Sequence, residues 1–261
     1  MPKSGVKQIF SDVSEDFSIG VVRGDFPAFS SIHKFGLNPS VSTTDEDIWA
    51  GGGSYSGFIT AAAAVRIKAG GNANDTAAGS GARSITIIGL DENFNDASET
   101  VVTAGASASA ATTTTFIRVF RAYVEACGTY TANNTGDITI ETTGGVVMAI
   151  ILATYGQTQL AIYTIPASFT GYLVRMSCDV DRAQGGAVNL WQRQSADDST
   201  APMKAKRLVS RRVGVTGPSE TIFSVPIALP AKTDFWASGA SATGTTVIAV
   251  EFNIILARNT T

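Results

Sequence analysis

The sequence predicts an all-β protein, a β-sandwich or jelly-roll-like domain preceded by an extended N-terminal arm. Three observations favour this class. Apolar and polar residues alternate with a period of two over many short segments, as they do on strands with one buried face. Gly, Asn, Ser and Thr cluster between these segments, as in turns, and no segment is clearly helical. Regularly spaced strands with Gly-rich turns are typical of sandwiches and jelly rolls.

Residues 1–30 form the predicted arm. Single aromatic residues are separated here by polar spacers, and neither strand nor helical spacing persists. Such a segment buries little surface against itself, so it is either mobile or laid over another surface. Each aromatic ring contributes about 1.5–3 kcal/mol on full burial, in a partner or, as the alternative, in the core of its own subunit. The candidate docking residues are Phe10, Phe17, Phe26 and Phe29.

Residues 31–261 are expected to form the β-sandwich domain. One segment, 116–126, also fits a helical spacing, but the turn residues on both sides and the neighbouring strands favour a strand. Asn38-Pro39 is typical of a turn. The predicted strands cover residues 64–69, 84–90, 99–103, 116–126, 137–142, 145–154, 159–165, 172–180, 187–194, 207–215, 220–225, 232–236 and 246–256.

Two of these strands have the clearest alternation and are expected to line the core. In segment 172–180 the predicted apolar row consists of Val174, Met176, Cys178 and Val180. The strand before it ends at Pro166, which has no N–H to give to a sheet. In segment 246–256 the apolar row consists of Ile248, Val250, Phe252, Ile254 and Leu256.

Composition and charge restrict the possible partners. Charged residues make up 16% of the chain, against about 25% in average globular domains, so neutral polar residues must cover much of the surface. This suits a protein packed against other subunits, and a neutral extracellular β-domain is the alternative. The net charge of −3 argues against nucleic-acid binding. The basic run at 204–212 alternates with apolar residues and is expected to be an exposed strand face. The longest apolar run, 145–154, is shorter than the roughly 18 residues that span a bilayer, so no membrane contact is expected.

No catalytic or metal-binding pattern is present, so we expect no enzymatic activity and no cofactor. His33 is the single histidine, and a lone histidine usually has a structural role. A cation site in the acidic run at 45–47 is conceivable, but the spacing of a calcium-binding loop is missing. Glycoside hydrolysis needs only two carboxylates. The candidates for it have the pattern of ordinary outward strand positions: Glu125, Glu141 and Glu251.

The two cysteines, Cys127 and Cys178, lie in apolar strand patterns. Cysteine is often buried as a small hydrophobic residue, so two free buried thiols are expected, with one disulfide as the alternative.

Three stretches together resemble a known family. They are SIHKFGLNPSVSTTDEDIWAGGG (31–53), YGQTQLAIYTIPASFTGYLVRMSCDVDR (155–182) and PAKTDFWASGASATGTTVIAVEFNIILAR (230–258). As a set they resemble virion structural proteins of tailed bacteriophages, a capsid decoration or cement-like group common in marine and cyanobacterial phages. The resemblance runs from about residue 31 to the C terminus and leaves the arm uncovered. At the central turn, residues 166–170 read PASFT, where the family pattern is Pro-Ala-Gly-Lys-Thr.

The resemblance implies a non-enzymatic protein of the virion that is associated with either the capsid or the tail. We expect a capsid decoration protein, assembled in the host cytoplasm and located on the capsid surface. Its expected partners are other copies of itself, as a homotrimer, and the major capsid protein that it bridges. The alternative is a tail or head-fibre module that binds a cell-surface glycan by stacking a tryptophan on sugar rings. The tryptophans, for which core packing is the other role, are Trp49, Trp191 and Trp236.

Overall fold

The computed structural model describes residues 17–260 and confirms an all-β, sandwich-like fold. It contains one helix, α1 (Phe17–Arg23), which has seven residues. The strands are β1 (Phe29–Val41), β2 (Glu46–Asp47), β3 (Ala63–Ile67), β4 (Ala82–Leu90), β5 (Asp96–Val102), β6 (Thr115–Phe116), β7 (Arg118–Cys127), β8 (Ile138–Thr142), β9 (Val147–Ile151), β10 (Ile162–Thr164), β11 (Phe169–Val180), β12 (Gly186–Arg193), β13 (Arg207–Val215), β14 (Gly217–Leu229), β15 (Asp234–Ser241) and β16 (Thr246–Arg258). In this part of the chain no helix is long and apolar enough to cross a membrane.

The strands form four antiparallel sheets. Sheet A has the order β1-β16-β11-β14, and sheet B has the order β10-β15-β12-β13, with β2 beside β15. Sheets A and B share one apolar core. Sheet C (β6-β3-β8-β9) and sheet D (β5-β4-β7) share a second core, built from the segment between β2 and β10. Both cores lie inside the predicted sandwich region, and the boundary between arm and domain at residue 30 stays a prediction.

The predicted core row of β16 is confirmed. Its five apolar residues at alternate positions are all 4% exposed or less, and they face the core shared by sheets A and B. Strand β16 lies between β1 and β11, so its backbone is hydrogen-bonded on both sides. A long apolar row on a central strand is therefore the most reliable pattern in this sequence.

The predicted core row of β11 is correct except at Val174. Met176, Cys178 and Val180 are buried, but Val174 is only half-buried, and Leu173 takes the core position instead. The pairings to both neighbouring strands skip from Leu173 to Arg175, so Val174 is the extra residue of a β-bulge. A bulge shifts the alternation by one residue, which is why the apolar row could not be followed past it.

Strand β1 was not predicted because its buried face is not apolar. The inward positions are Lys34, Gly36 and Asn38, while the apolar residues between them are half-buried. The predicted turn at Asn38-Pro39 is wrong, since both residues belong to β1. The register of β1 shifts between Asn38 and Val41, where a residue without an N–H is tolerated on an edge strand.

Two further predictions are resolved by burial and pairing. The alternative of a helix at 116–126 is wrong, because β7 pairs with β4 as an antiparallel strand. Both thiols are free, but Cys127 is exposed rather than buried, because the end of β7 runs past the core. Cys178 is buried, and this burial raises the pKa of its thiol.

A buried ion pair joins the A–B sandwich, formed by sheets A and B, to the C–D sandwich, formed by sheets C and D. Arg118 of β7 donates two hydrogen bonds to Asp234 of β15, from Nε to Oδ1 and from Nη2 to Oδ2, each 2.9 Å long. Thr164 donates to the same Oδ1 at 2.7 Å, and Arg118 Nη1 donates to the carbonyl oxygens of Ile59 and Ile117. Both charges are thus satisfied where water is excluded.

Candidate subunit interface

Strands β13 and β14 form a continuous outer rim of the A–B sandwich. They follow each other with only Thr216 between them. Strand β13 is the last strand of sheet B, and β14 is the last strand of sheet A. Each therefore has one side that pairs with no strand of residues 17–260. We call the exposed side of β13 and β14 the rim.

Large apolar side chains of the rim lie in water. Ile222 is 73% exposed and Val225 is 81% exposed, both on β14. Val213 and Leu208 of β13 are exposed as well. Edge strands of soluble proteins usually carry charges that prevent association. Exposed groups of apolar residues instead mark surfaces that bind another molecule.

The rim is suited to contacts between side chains rather than to the addition of another strand. Pro218 and Pro226 of β14 have no N–H, so they cannot donate to a new strand. The register of β14 against β11 also jumps from Ile222 to Ile227, which interrupts the ladder. Both features are typical of edges that avoid uncontrolled sheet extension.

Polar contacts fix the corner where the rim strands meet. Arg212 Nη1 donates to Ser219 Oγ at 2.9 Å, which ties β13 to β14. Glu220 of β14 forms an ion pair with Arg175 of β11. These polar contacts hold β14 to β13 and to β11, while the large apolar side chains of the rim remain exposed.

A second exposed apolar group lies beside β1, at the opposite edge of sheet A. The rings of Phe17 and Phe26 have centroids 5.1 Å apart, and those of Phe17 and Phe29 are 5.5 Å apart. The three rings are 36–44% exposed, and Ile19 and Val22 of α1 are more exposed still. We call these five residues the α1 patch.

The structure thus brings together three of the four candidate docking residues. None of the three belongs to the buried core, and their use as a docking site stays a prediction. Phe10 lies outside the described residues. The expected lack of regular structure in the arm is wrong for α1, which is too short to show a helical period in the sequence. The last two residues of the predicted arm, Phe29 and Ser30, belong to β1.

The other candidate residues have local structural partners. His33 is exposed, and its Nδ1 lies 2.8 Å from Asn253 Oδ1. In the acidic run, each carboxylate accepts from a nearby group: Asp45 from Ser238, Glu46 from the Ser42 N–H, and Asp47 from the Tyr55 N–H. Among residues 17–260 no group of three or more His, Cys, Asp or Glu is placed to hold a metal ion.

One of the three candidate glutamates is not an outward residue. Glu141 is buried, and it forms an ion pair of 2.9 Å with Arg66 of the neighbouring strand β3. The prediction was wrong here because several residues of β8 are buried regardless of alternation. Glu125 accepts a hydrogen bond from Thr86, and Glu251 is exposed and accepts one from Ser177.

Two of the three tryptophans lie in an aromatic cluster. Trp49 and Trp236 are buried there, and the Trp49 ring meets Tyr55 edge to face at 5.2 Å. Trp191 is half-buried, donates its Nε1–H to Ser238 Oγ, and has the Lys206 ammonium 4.7 Å from its ring centre. Trp49 and Trp236 therefore have the core-packing role that the sequence left open.

Sequence reasoning did not identify the rim as a binding surface. It predicted residues 207–215 and 220–225 as edge or half-exposed strands, which is correct, but it did not predict that their apolar side chains are exposed. The available signal was Ile222 and Val225 between Thr, Ser and Pro, a mixture that fits neither a core row nor a solvated face.

Comparison with known proteins gives no family. No protein-family model matches the chain, and no curated protein matches it. Among solved structures, the chain is similar to that of infectious bursal disease virus Gt strain, with 10% identity, a TM-score of 0.21, and coverage of 90% of this chain and 78% of that one. It is also similar to T=1 particles derived from infectious bursal virus, with 9% identity, a TM-score of 0.21, and coverage of 90% and 75%. A TM-score this low does not establish a common fold.

Proposed function

We propose that this protein is a non-enzymatic structural component of a virion, a capsid decoration or cement protein that associates with itself and bridges major capsid protein subunits. The observation that carries the proposal is the rim, where Ile222 and Val225 are more than 70% exposed on an edge strand. A fully buried side chain of this type contributes about 1.5–3 kcal/mol. Covering the rim in an assembly would remove both side chains from water.

The arrangement of sheet A favours a closed ring of copies. The rim lies at one edge of the sheet and the α1 patch lies at the other, so a neighbouring copy that covers the rim leaves the α1 patch open to a different partner. Contact between the rim of one copy and a different surface of the next is head-to-tail, and such contacts form rings when the rotation closes. We propose a homotrimer, which matches local three-fold positions of the shell.

The N-terminal arm is the proposed contact to the major capsid protein. Its aromatic residues next to β1 are available for burial, and many modest contacts repeated over a shell add up to a strong attachment. The proposal places the protein on the capsid surface after assembly in the host cytoplasm, without a cofactor and without contact to nucleic acid or membrane. Charged residues make up only 16% of the chain, which suits a surface packed against other protein subunits.

The double variant Ile222→Lys/Val225→Lys tests self-association. We expect the unaltered protein to sediment as a multiple of its 27.1 kDa chain mass, and the double variant to sediment as a folded monomer with an unchanged circular dichroism spectrum. The two side chains make no core contact, so the fold should tolerate lysine at both positions. Sedimentation velocity over a concentration series measures both states.

Val102→Lys is the matched control. Val102 is 57% exposed and lies on β5, an edge strand of sheet D away from the rim, so this variant should associate like the unaltered protein. A chain that stays monomeric at tens of micromolar without any substitution would contradict the proposed self-association.

Counting copies in purified particles separates decoration from the alternative of a glycan-binding fibre module. A decoration protein should be present in many copies, and particles stripped of it should break at a lower temperature. A protein with few copies per particle that blocks infection when it is added free would support the fibre module instead.

A further inference from the structure

A cavity lined by residues of β1, β4 and β7 is unrelated to the rim. It has a volume of about 520 Å³ and lies between β1, β4 and β7, so it is bordered by both sandwiches. Its polar lining includes Lys34 and His33 of β1 and Arg121 and Tyr123 of β7. Ile88, Phe120 and Tyr163 supply an apolar wall.

Two cations of this cavity have no carboxylate partner. Lys34 is only 3% exposed, and its Nζ donates to the carbonyl oxygen of Phe120. Arg121 Nη2 donates to the carbonyl oxygen of His33 at 2.7 Å. Within residues 17–260 no Asp or Glu lies within ion-pair distance of Lys34 or Arg121. A buried lysine is almost always paired, so an unpaired one beside an arginine requires an explanation.

The cavity also contains more hydrogen-bond donors than acceptors. An ammonium group has three N–H donors and a guanidinium has five, and neither group has an acceptor of its own. Among the described residues, each of the two groups has one carbonyl acceptor. Burial, and then the nearby Arg121 charge, lower the pKa of Lys34 well below its ordinary value. A negative group between the two cations would accept the remaining bonds and compensate both charges.

We propose that this cavity binds a small organic oxyanion, a phosphate or a carboxylate, between Lys34 and Arg121. The planar guanidinium binds such groups through two parallel hydrogen bonds, and the ammonium adds a point charge. The volume lies within the range of roughly 300–1,000 Å³ that is typical of small-molecule sites. The wall formed by Phe120, Tyr163 and Ile88 accommodates the apolar part of the ligand. The same chemistry fits a free ligand or a carboxylate side chain of a neighbouring copy.

Titration of the full chain with inorganic phosphate and with acetate tests the site. Both are added at low millimolar concentration against sodium chloride of equal ionic strength, since higher phosphate stabilises proteins without specific binding. We expect a saturable rise of the melting temperature, which disappears in Lys34→Met and in Arg121→Gln. Lys206→Met is the control. It removes an exposed cation from the connection between β12 and β13, so this variant should respond like the unaltered chain.

The results distinguish a free ligand from a carboxylate of a neighbouring copy, and they can also overturn the proposed anion site. Binding only by the monomeric Ile222→Lys/Val225→Lys variant indicates that a carboxylate of a neighbouring copy occupies the cavity in the assembly. A response that is equal with sodium chloride, or that persists in both Lys34→Met and Arg121→Gln, would overturn the proposal. If the unaltered chain itself binds the anion, the result stands even when the proposed self-association fails, because the rim and the cavity share no residue.

The pH dependence of stability gives an independent measurement at Lys34. Because its pKa is lowered in the folded state, the unfolded state binds more protons from the folded pKa up to 10.5, and stability rises with pH across that window. Of the other groups that face the cavity, Tyr163 has a pKa raised by burial and Arg121 a pKa lowered by burial. The comparison is therefore kept below pH 10 and made against Lys34→Met, which retains His33, Tyr123, Tyr163 and Arg121.

We expect Lys34→Met to be more stable than the unaltered chain at pH 7 and this advantage to shrink towards pH 9.5. Saturating phosphate should reduce the advantage at pH 7, because the anion compensates the buried charge. Urea denaturation at both pH values measures the difference. An advantage that is independent of both pH and phosphate would show that Lys34 is not an unpaired cation of this site.

Discussion

Asp234→Ala should lower the free energy of unfolding by about 3–5 kcal/mol, the usual effect of removing one partner from a buried ion pair. The substitution leaves the Arg118 guanidinium without its two 2.9 Å hydrogen bonds in a place that water does not reach. Thr164 loses its acceptor as well. Because the pair joins β7 to β15, the loss should loosen the contact between the two sandwiches. Urea denaturation followed by tryptophan fluorescence measures the change.

The matched control is an ion pair near the surface. Asp197 and Lys232 lie 2.8 Å apart, but their side chains are 43% and 33% exposed. Asp197→Asn should therefore cost at most about 1 kcal/mol. The double variant Arg118→Met/Asp234→Leu removes both buried charges and should recover much of the stability. Equal losses for Asp234→Ala and Asp197→Asn would contradict the view that burial makes the Arg118–Asp234 pair important.

Val250→Asp should prevent folding. Val250 is fully buried in the core row of β16, so the variant would place a carboxylate without a partner among apolar side chains. We expect Val250→Asp to lower the free energy of unfolding by more than about 4–5 kcal/mol. A loss of that size is exceptional for a point mutation and approaches the whole stability of a typical domain. Circular dichroism and the yield of soluble protein measure the effect.

Val247→Asp is the control on the same strand. Val247 is 42% exposed on the opposite face of β16, so the same chemical change there should leave a folded protein. If Val250→Asp folds normally while Val247→Asp does not, the assignment of the two faces is reversed.

The sequence predicted those parts of the fold in which burial follows a simple alternation. Strand β16 has a full apolar row, and its pattern matches its burial. Strand β1 was missed because Lys34 and Asn38 occupy inward positions that the pattern reserves for apolar residues. Val174 was misplaced because a bulge is set by the pairing of neighbouring strands, and one strand's pattern does not show it.

The candidate sites were less predictable for a related reason. Exposure of Ile222 is visible only when β14 is known to be the last strand of its sheet. The cavity of Lys34 and Arg121 joins residues of β1 and β7, which are distant in the chain and have no common motif. Strand order and burial create both features, whereas local sequence patterns describe one strand at a time.

The most direct test of the central proposal is a density map of the intact particle that contains this protein. We expect symmetry-related copies on the outer surface of the shell, with the rim of each copy covered by a neighbouring copy. Ile222 and Val225 should lie in that contact, and the arm should lie against the major capsid protein. A shell without density for this chain, or copies whose rim faces solvent, would contradict the account.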